Sequence, residues 1–135
     1  DASMLYTSDH GEDIFDDGRH LFLHASPVPS YYQLHVPLLL WTSDSYREEY
    51  PGIEKAASMN RQKNISSSIS FFQTMMELAG IETPYRNDSL SVTSPLYTEK
   101  SRVYLNDHNE PHSLDDIGMR KEDFEMLKKR GIDAQ

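Results

Sequence analysis

The apolar residues of this chain come in short runs, and the longest uninterrupted one is Val36-Pro37-Leu38-Leu39-Leu40-Trp41. That run falls far short of the roughly twenty residues that carry a helix across a bilayer. It suits a buried strand instead. The strand is expected from His35 to Thr42, with Pro37 near its start, where a missing N–H does least harm. Met4-Leu5-Tyr6-Thr7 reads as another short strand, apolar, β-branched and aromatic, ending at Ser8-Asp9-His10-Gly11. Arg102 to Leu105 offers a third.

Helical signals lie between and after these strands. Ser45 to Ala57 reads as a surface helix that Pro51-Gly52 can split. Asn64 to Ala79 is the strongest helix signal, with Asn64 as its expected cap. Its expected inward stripe is Ile65, Ile69, Phe72, Met76 and Ala79, widened by Phe71, Met75 and Leu78. Gly80 sits where a left-handed glycine ends a helix. Lys121 to Arg130 forms a last helix, acidic early and basic late as the helix dipole prefers, stopped by Gly131. Pro27, Pro29 and Pro37 keep their stretch out of helix interiors, and 82–100 reads as loop. Strands alternating with helices make an α/β class, few strands flanked by helices. A parallel sheet of so few strands buries poorly on both faces. The chain also begins at Asp1, with Met4 already inside an apolar stretch. It is therefore expected to be a piece of something longer, with no internal domain boundary over 1–135.

Charge narrows the function classes. Thirteen Lys and Arg stand against 22 Asp and Glu, a net charge of −9. That argues against a general nucleic-acid binder, which needs a basic face to meet phosphates. No cysteine is present, so disulfide scaffolds, iron–sulfur clusters and zinc–thiolate sites are excluded. One Trp, eight Tyr and five Phe argue against a disordered chain.

The segment that carries chemistry is Tyr6-Thr7-Ser8-Asp9-His10-Gly11-Glu12. It puts an Asp and a His side by side just beyond a strand, where sites gather in open α/β sheets. Neighbouring residues of a strand point to opposite faces, so the two converge only if the chain turns, and Gly11 permits that. Carboxylate oxygen and imidazole nitrogen suit Zn²⁺, with Mn²⁺ or Ca²⁺ as alternatives. The acidic residues Glu12, Asp13, Asp16 and Asp17 lack EF-hand spacing and read as a solvated loop. His20, four residues before His24, would face the same metal only on a helix, which Gly18 and the prolines disfavour. His35 reads as structural, and His108 and His112 as part of a solvated loop, 106–112. The cluster Phe71, Phe72, Met75 and Met76 reads as helix core.

The run TSDHGE, the acidic loop, Phe22-Leu23-His24-Ala25-Ser26-Pro27 and then His35-Val36-Pro37-Leu38-Leu39-Leu40-Trp41 resembles the alkaline-phosphatase/sulfatase superfamily. It is most similar to the bacterial phosphoethanolamine transferases. Leu78-Ala79-Gly80-Ile81 resembles a later family element, so the likeness covers roughly residues 3–95. Ala25 stands where the family usually has glycine. The resemblance implies the C-terminal part of an alkaline-phosphatase-like α/β/α sandwich. It implies that Asp9 and His10 bind the metal, zinc foremost, and that His24 is the active-site histidine over the transferred phosphoryl group or a second metal. Glu12 matches the family's acidic residue without a ligand role carried over.

The same resemblance places a threonine nucleophile and another metal-binding carboxylate upstream of the motif, outside these residues. It implies a ping-pong transfer through phospho-threonine, from a phospholipid donor to lipid A or another surface glycan. The parent would sit in the inner membrane with a periplasmic catalytic domain, and the isolated chain is expected to be inactive. Its truncated sheet would favour self-association. A sulfatase or phosphodiesterase hydrolase is the alternative within the superfamily. The Cys-x-Pro-x-Arg or Ser-x-Pro-x-Arg element of sulfatases does not occur in the sequence. A non-catalytic interaction module is the alternative outside it.

Overall fold

A computed structural model describes residues 1–24, 28–105, 108 and 110–132. The elements run in the order β1 (Ser3–Thr7), β2 (Asp13–Ile14), β3 (Phe22–Leu23), α1 (Tyr31–Leu34), β4 (Leu38–Thr42), α2 (Asp44–Glu49), α3 (Pro51–Asn60), α4 (Ser67–Leu78), β5 (Val103–Leu105), β6 (Pro111–Ser113) and α5 (Lys121–Lys129). A single 3-10 turn covers Asp88–Leu90. The chain divides into two compact units. One is Asp1–Thr7 with Leu38–Lys100, and the other is Ser8–Pro37 with Ser101–Gln135. No helix among the described residues is long and apolar enough to cross a membrane.

In the first unit β1 and β4 pair from Ser3↔Thr42 to Thr7↔Leu38, and the pairing is antiparallel. A parallel sheet, the arrangement weighed from the sequence, needs a crossover of a dozen residues or more, usually helical. Among the described residues the only helix between these strands is the four-residue α1, too short for such a crossover. Strand alternation puts Met4, Tyr6, Leu39 and Trp41 on one face of the ribbon, and each is about half exposed. Pro51 opens α3 at its first position and so splits the helix expected over 45–57. Ser43 caps α2, its side chain accepting from the Tyr46 N–H. Tyr46 is buried and donates its hydroxyl to the Leu78 carbonyl at 2.7 Å.

The strongest predicted helix forms, but with a different cap and a different inward face. Ser66, not Asn64, precedes α4. Asn64 is tied to the segment beyond, its N–H reaching Glu99 at 2.8 Å and its carbonyl receiving the Tyr97 hydroxyl at 3.0 Å. Phe72 is 59% exposed and Met75 43%, whereas Ser70, Thr74, Met76 and Leu78 are buried. The reason is polar. Thr74 Oγ1 donates to the Ser70 carbonyl at 2.8 Å and accepts the Val92 N–H at 3.0 Å. Glu77 accepts hydrogen bonds from Ser91 and Thr93. Asn60 donates to the carbonyls of Val92 and Ser94 at 3.0 and 2.7 Å. Hydrogen bonding of the loop at 91–94 thus sets the rotation of α4, and the aromatic stripe turns outward. Gly80, at φ 63°, ends the helix as expected, with the Ile81 N–H bonded to the Met76 carbonyl.

The second unit packs α1 against α5 around Tyr31, Leu114, Met119 and Leu127. β5 and β6 pair antiparallel. The acidic segment expected to be solvated is not uniformly so. Asp13 is 3% exposed and accepts from Ser30 Oγ at 2.8 Å and Gln33 Nε2 at 2.5 Å. Arg19 clasps Asp17 on one side and Asp123 on the other. Asp123 is fully buried and accepts two guanidinium hydrogen bonds, at 2.7 and 2.9 Å, plus the Tyr31 N–H at 2.9 Å. These bonds, Asp123 foremost, hold the guanidinium pKa further above its already high value.

Removing one partner of a buried pair leaves an uncompensated charge and costs about 3–5 kcal/mol. Asp123→Ala is therefore expected to cost about 3 kcal/mol in urea unfolding, since Asp17 still holds Arg19. Asp17→Ala, at a more exposed partner, should cost clearly less. Equal, small losses for both would contradict this ranking.

Candidate functional site

Beyond Thr7 the chain turns sharply. Ser8 Oγ donates to the His10 carbonyl at 2.7 Å, and the Gly11 N–H donates to the Gln33 carbonyl at 2.8 Å. The approach at Gly11 is so close that a Cβ there would lie 1.9 Å from the Tyr32 carbonyl oxygen. Only glycine fits, and the residues on either side of it, His10 and Glu12, are fixed by that fit.

His24 arrives from the other strand of a hairpin. β2 and β3 pair with Asp13 opposite Leu23 and Ile14 opposite Phe22. One step further along this register, Glu12 stands opposite His24. The His24 Nδ1 lies 2.6 Å from Glu12 Oε1. The rings of His10 and His24 lie 4.0 Å apart between centroids, tilted by 33°. Donor atoms of His10, Glu12 and His24 all lie within 4.8 Å of one another.

Hydrogen bonding separates the roles of these groups. His10 Nδ1 is 3.0 Å from the Gly11 carbonyl. A carbonyl can only accept, so Nδ1 carries the hydrogen and Nε2 presents its lone pair. Asp9 Oδ2 is 3.8 Å from that Nε2. Zinc bonds of about 2.0–2.1 Å in a tetrahedron set ligand atoms roughly 3.3 Å apart, so this spacing is close to that of two ligands of one ion. The 2.6 Å between Glu12 and His24 is shorter and is that of a charge-assisted hydrogen bond. Nitrogen and carboxylate oxygen are zinc donors, and the Asp9–His10 pair fits such an ion. Asp9 is held below the usual carboxylate range by backbone hydrogen bonding, first from its own N–H and also from that of His10. Its carboxylate is thus ionised and ready to ligate at neutral pH.

The remaining histidines stand apart from this cluster. His20 lies beside Phe15, its ring 6.4 Å away, and not beside His24. His35 takes part in a hydrogen bond with the Tyr31 hydroxyl at 2.7 Å and stacks on that ring. Burial, then Arg130 and Arg102, pushes its pKa down, which fits the structural role expected for it. His112 sits in β6, 3.8 Å from Glu110. His108 is exposed, and Asn106, Asp107 and Asn109 of that expected loop lie outside the described residues, as do Ala25, Ser26 and Pro27. The Glu12–His24 pairing was not foreseen from the sequence. Its signal was present: Ile14-Phe15 and Leu21-Phe22-Leu23 flank Asp16-Asp17-Gly18, a hairpin pattern centred on Gly18 with residues 12 and 24 equidistant.

Comparison with known proteins gives the geometry a family. The sulfatase family model matches residues 1–81. The chain belongs to the sulfatase family. Among curated sulfatase-family relatives, phosphoethanolamine transferase EptA of Salmonella typhimurium is 32% identical over 97 residues, 70% of this chain and 17% of that protein. Phosphoethanolamine transferase CptA of the same organism is 29% identical over 113 residues, 83% of this chain and 19% of that protein. The crystal structure of the C-terminal periplasmic domain of EcEptC from Escherichia coli matches with a TM-score of 0.72 at 25% identity. The match covers 90% of this chain and 33% of that domain. The same domain in complex with Zn matches with a TM-score of 0.71. The expected resemblance and the α/β class both hold. This sulfatase-family chain spans about one sixth of the curated relatives and one third of the solved domain.

Gly11→Ala is expected to push the turn off α1 and separate the His10 and His24 rings. Nuclear Overhauser contacts between the two imidazoles should be present in the wild type and absent in the variant. Their persistence in Gly11→Ala would contradict the steric argument.

Proposed function

We propose that this chain supplies the metal-binding and phosphoryl-facing part of a zinc-dependent phosphoethanolamine transferase. The single observation that carries the proposal is the division of labour at the site. An ionised Asp9 faces the bare Nε2 of His10, while a separate Glu12–His24 pair stands beside them. The names of the relatives and the zinc complex of the matching domain support it. Asp9 and His10 would hold the metal. Histidine nitrogen favours zinc or manganese over calcium, which prefers oxygen alone. When bound, zinc stabilises an alkoxide and polarises a phosphoryl oxygen.

The chain's own groups then divide the work. Glu12 holds the hydrogen on His24 Nδ1 and turns Nε2 toward the substrate. As an imidazolium, His24 offsets charge growing on the phosphoryl oxygens and gives its Nε2 proton to the leaving glyceride oxygen. The P–O bond to a threonine nucleophile forms as the P–O bond to the lipid breaks. An acceptor hydroxyl or phosphate on lipid A or another glycan then gives its proton to His24 Nε2 and bonds to phosphorus as the phospho-threonine P–O bond breaks. In this reading the threonine and a further carboxylate ligand would come from outside these 135 residues. That protein would be anchored in the inner membrane with its catalytic domain in the periplasm. The half-exposed ribbon face of Met4, Tyr6, Leu39 and Trp41 is the surface its remaining part would cover. In its absence two copies of this chain would meet there.

The test compares two pairs of variants. In a longer polypeptide that carries this segment and a nucleophile, Asp9→Ala or His10→Ala should abolish turnover and lower zinc content. His24→Ala and Glu12→Gln should cut kcat about 10²-fold or more, as lost general acid catalysis does, with zinc retained. Full activity in Asp9→Ala or His10→Ala would refute the metal assignment. Zinc loss in His24→Ala equal to that in His10→Ala would shift the ion to the three-residue cluster.

A further inference from the structure

Glu12 and His24 meet where two strands of only two residues each are paired, and so short a ladder holds its register weakly. The backbone there is also strained. Leu23, the residue before His24, has φ 66°, a region that a bulky side chain keeps only where surrounding structure enforces it. A slip of one residue would turn Glu12 to the opposite face of the hairpin and away from His24. The register therefore needs a support from outside the hairpin.

Gln33 gives that support from α1, with two of its groups. Its backbone carbonyl accepts the Gly11 N–H at 2.8 Å, and its side-chain Nε2 donates to Asp13 Oδ2 at 2.5 Å. Residues 11 and 13 flank Glu12, so one residue grips the chain on both sides of it. Successive side chains of an extended chain point to opposite faces. Drawing Asp13 inward, to 3% exposure, therefore turns Glu12 outward, where its carboxylate meets His24 Nδ1 at 2.6 Å. Ser30 closes the grip. Its Oγ donates to the other Asp13 oxygen at 2.8 Å and accepts the Gln33 N–H at 3.3 Å. Asp13, Ser30 and Gln33 are all buried, so a lost partner would leave a polar group without water to replace it. The helix that carries Gln33 is itself held, through the Tyr31 N–H on buried Asp123 at 2.9 Å.

We propose that Gln33 is the positioning residue of the Glu12–His24 pair, clamping residues 11 and 13 so that Glu12 keeps the hydrogen of His24 on Nδ1 and leaves Nε2 to face the substrate. Gln33 acts only through Glu12. The proposal rests on the reading of His24 as the proton donor, and it deepens that reading by naming what holds the histidine in its tautomer.

The Gln33–Asp13 bond can be broken and remade without altering Glu12 or His24. Gln33→Glu sets two carboxylates against each other. Gln33→Met removes the donor at nearly the same volume and keeps the backbone carbonyl on Gly11. Asp13→Asn added to Gln33→Glu remakes the bond with donor and acceptor exchanged. Long-range proton–nitrogen NMR of the metal-free 135-residue chain reads the His24 tautomer, at about pH 8.5, well above the ordinary imidazole pKa. His24 should carry its hydrogen on Nδ1 in the wild type and in the double variant. In Gln33→Glu and Gln33→Met it should shift to Nε2, the tautomer that free histidine favours in water, with circular dichroism unchanged. An Nδ1 hydrogen retained in both single variants would overturn the proposal. So would a double variant that stays on Nε2. Unfolding of both single variants would overturn it too, by making Gln33 a residue the whole unit needs rather than one that sets the pair. In a longer polypeptide with a nucleophile, Gln33→Met should lower kcat about tenfold or more, with KM little changed and zinc retained. A shifted tautomer with kcat unchanged would uphold the clamp and sink the catalytic reading of His24.

Discussion

The turn at Gly11 lies so close to the Tyr32 carbonyl that no side chain fits between them. Everything at the candidate site follows from this approach. It places Asp9 and His10 on one side of the glycine and Glu12 on the other. The hairpin beginning at Asp13 continues from that fixed point and returns His24 to Glu12 through its register. Asp13 itself is buried under Ser30 and Gln33, residues at the start of the same short helix that receives Gly11. One helix of a single turn thus anchors both ends of the acidic motif.

The electrostatics reinforce that placement. A carboxylate held ionised by N–H groups stands beside a histidine whose tautomer is set by a backbone carbonyl, an arrangement that suits the proposed ligand pair. A second carboxylate–histidine pair lies beside it, hydrogen-bonded as the proposed proton transfer requires. The buried Arg19–Asp123 contact joins the hairpin loop to α5 within the unit that carries the site.

Much of this was legible in the sequence, because local rules dominate where it was. The strand ending at Thr7, the split at Pro51, the glycine stops at Gly80 and Gly131, and the helix at Lys121–Lys129 follow from propensity and capping. The inward face of α4 was legible only in part, since Met76 and Leu78 are buried as expected and Phe72 and Met75 are exposed. Periodicity counts apolar residues, whereas Thr74, Ser70 and Glu77 turn inward to satisfy the backbone and hydroxyls of a distant segment. Asp13 was misjudged as solvated for the same reason, since its partners lie 17 and 20 residues away. The Asp9-His10 element stood out as a candidate because both residues adjoin a strand end. The Glu12–His24 contact did not, since it depends on the register of strands only two residues long.

Long-range proton–nitrogen NMR of the imidazole rings during zinc titration tests the division between the two pairs most directly. His10 Nε2 should shift into the metal-bound range while its Nδ1 stays protonated, and His24 should keep a protonated Nδ1 with neither nitrogen ligated. Metal-bound shifts on a His24 nitrogen, or ligation of His10 through Nδ1, would contradict it.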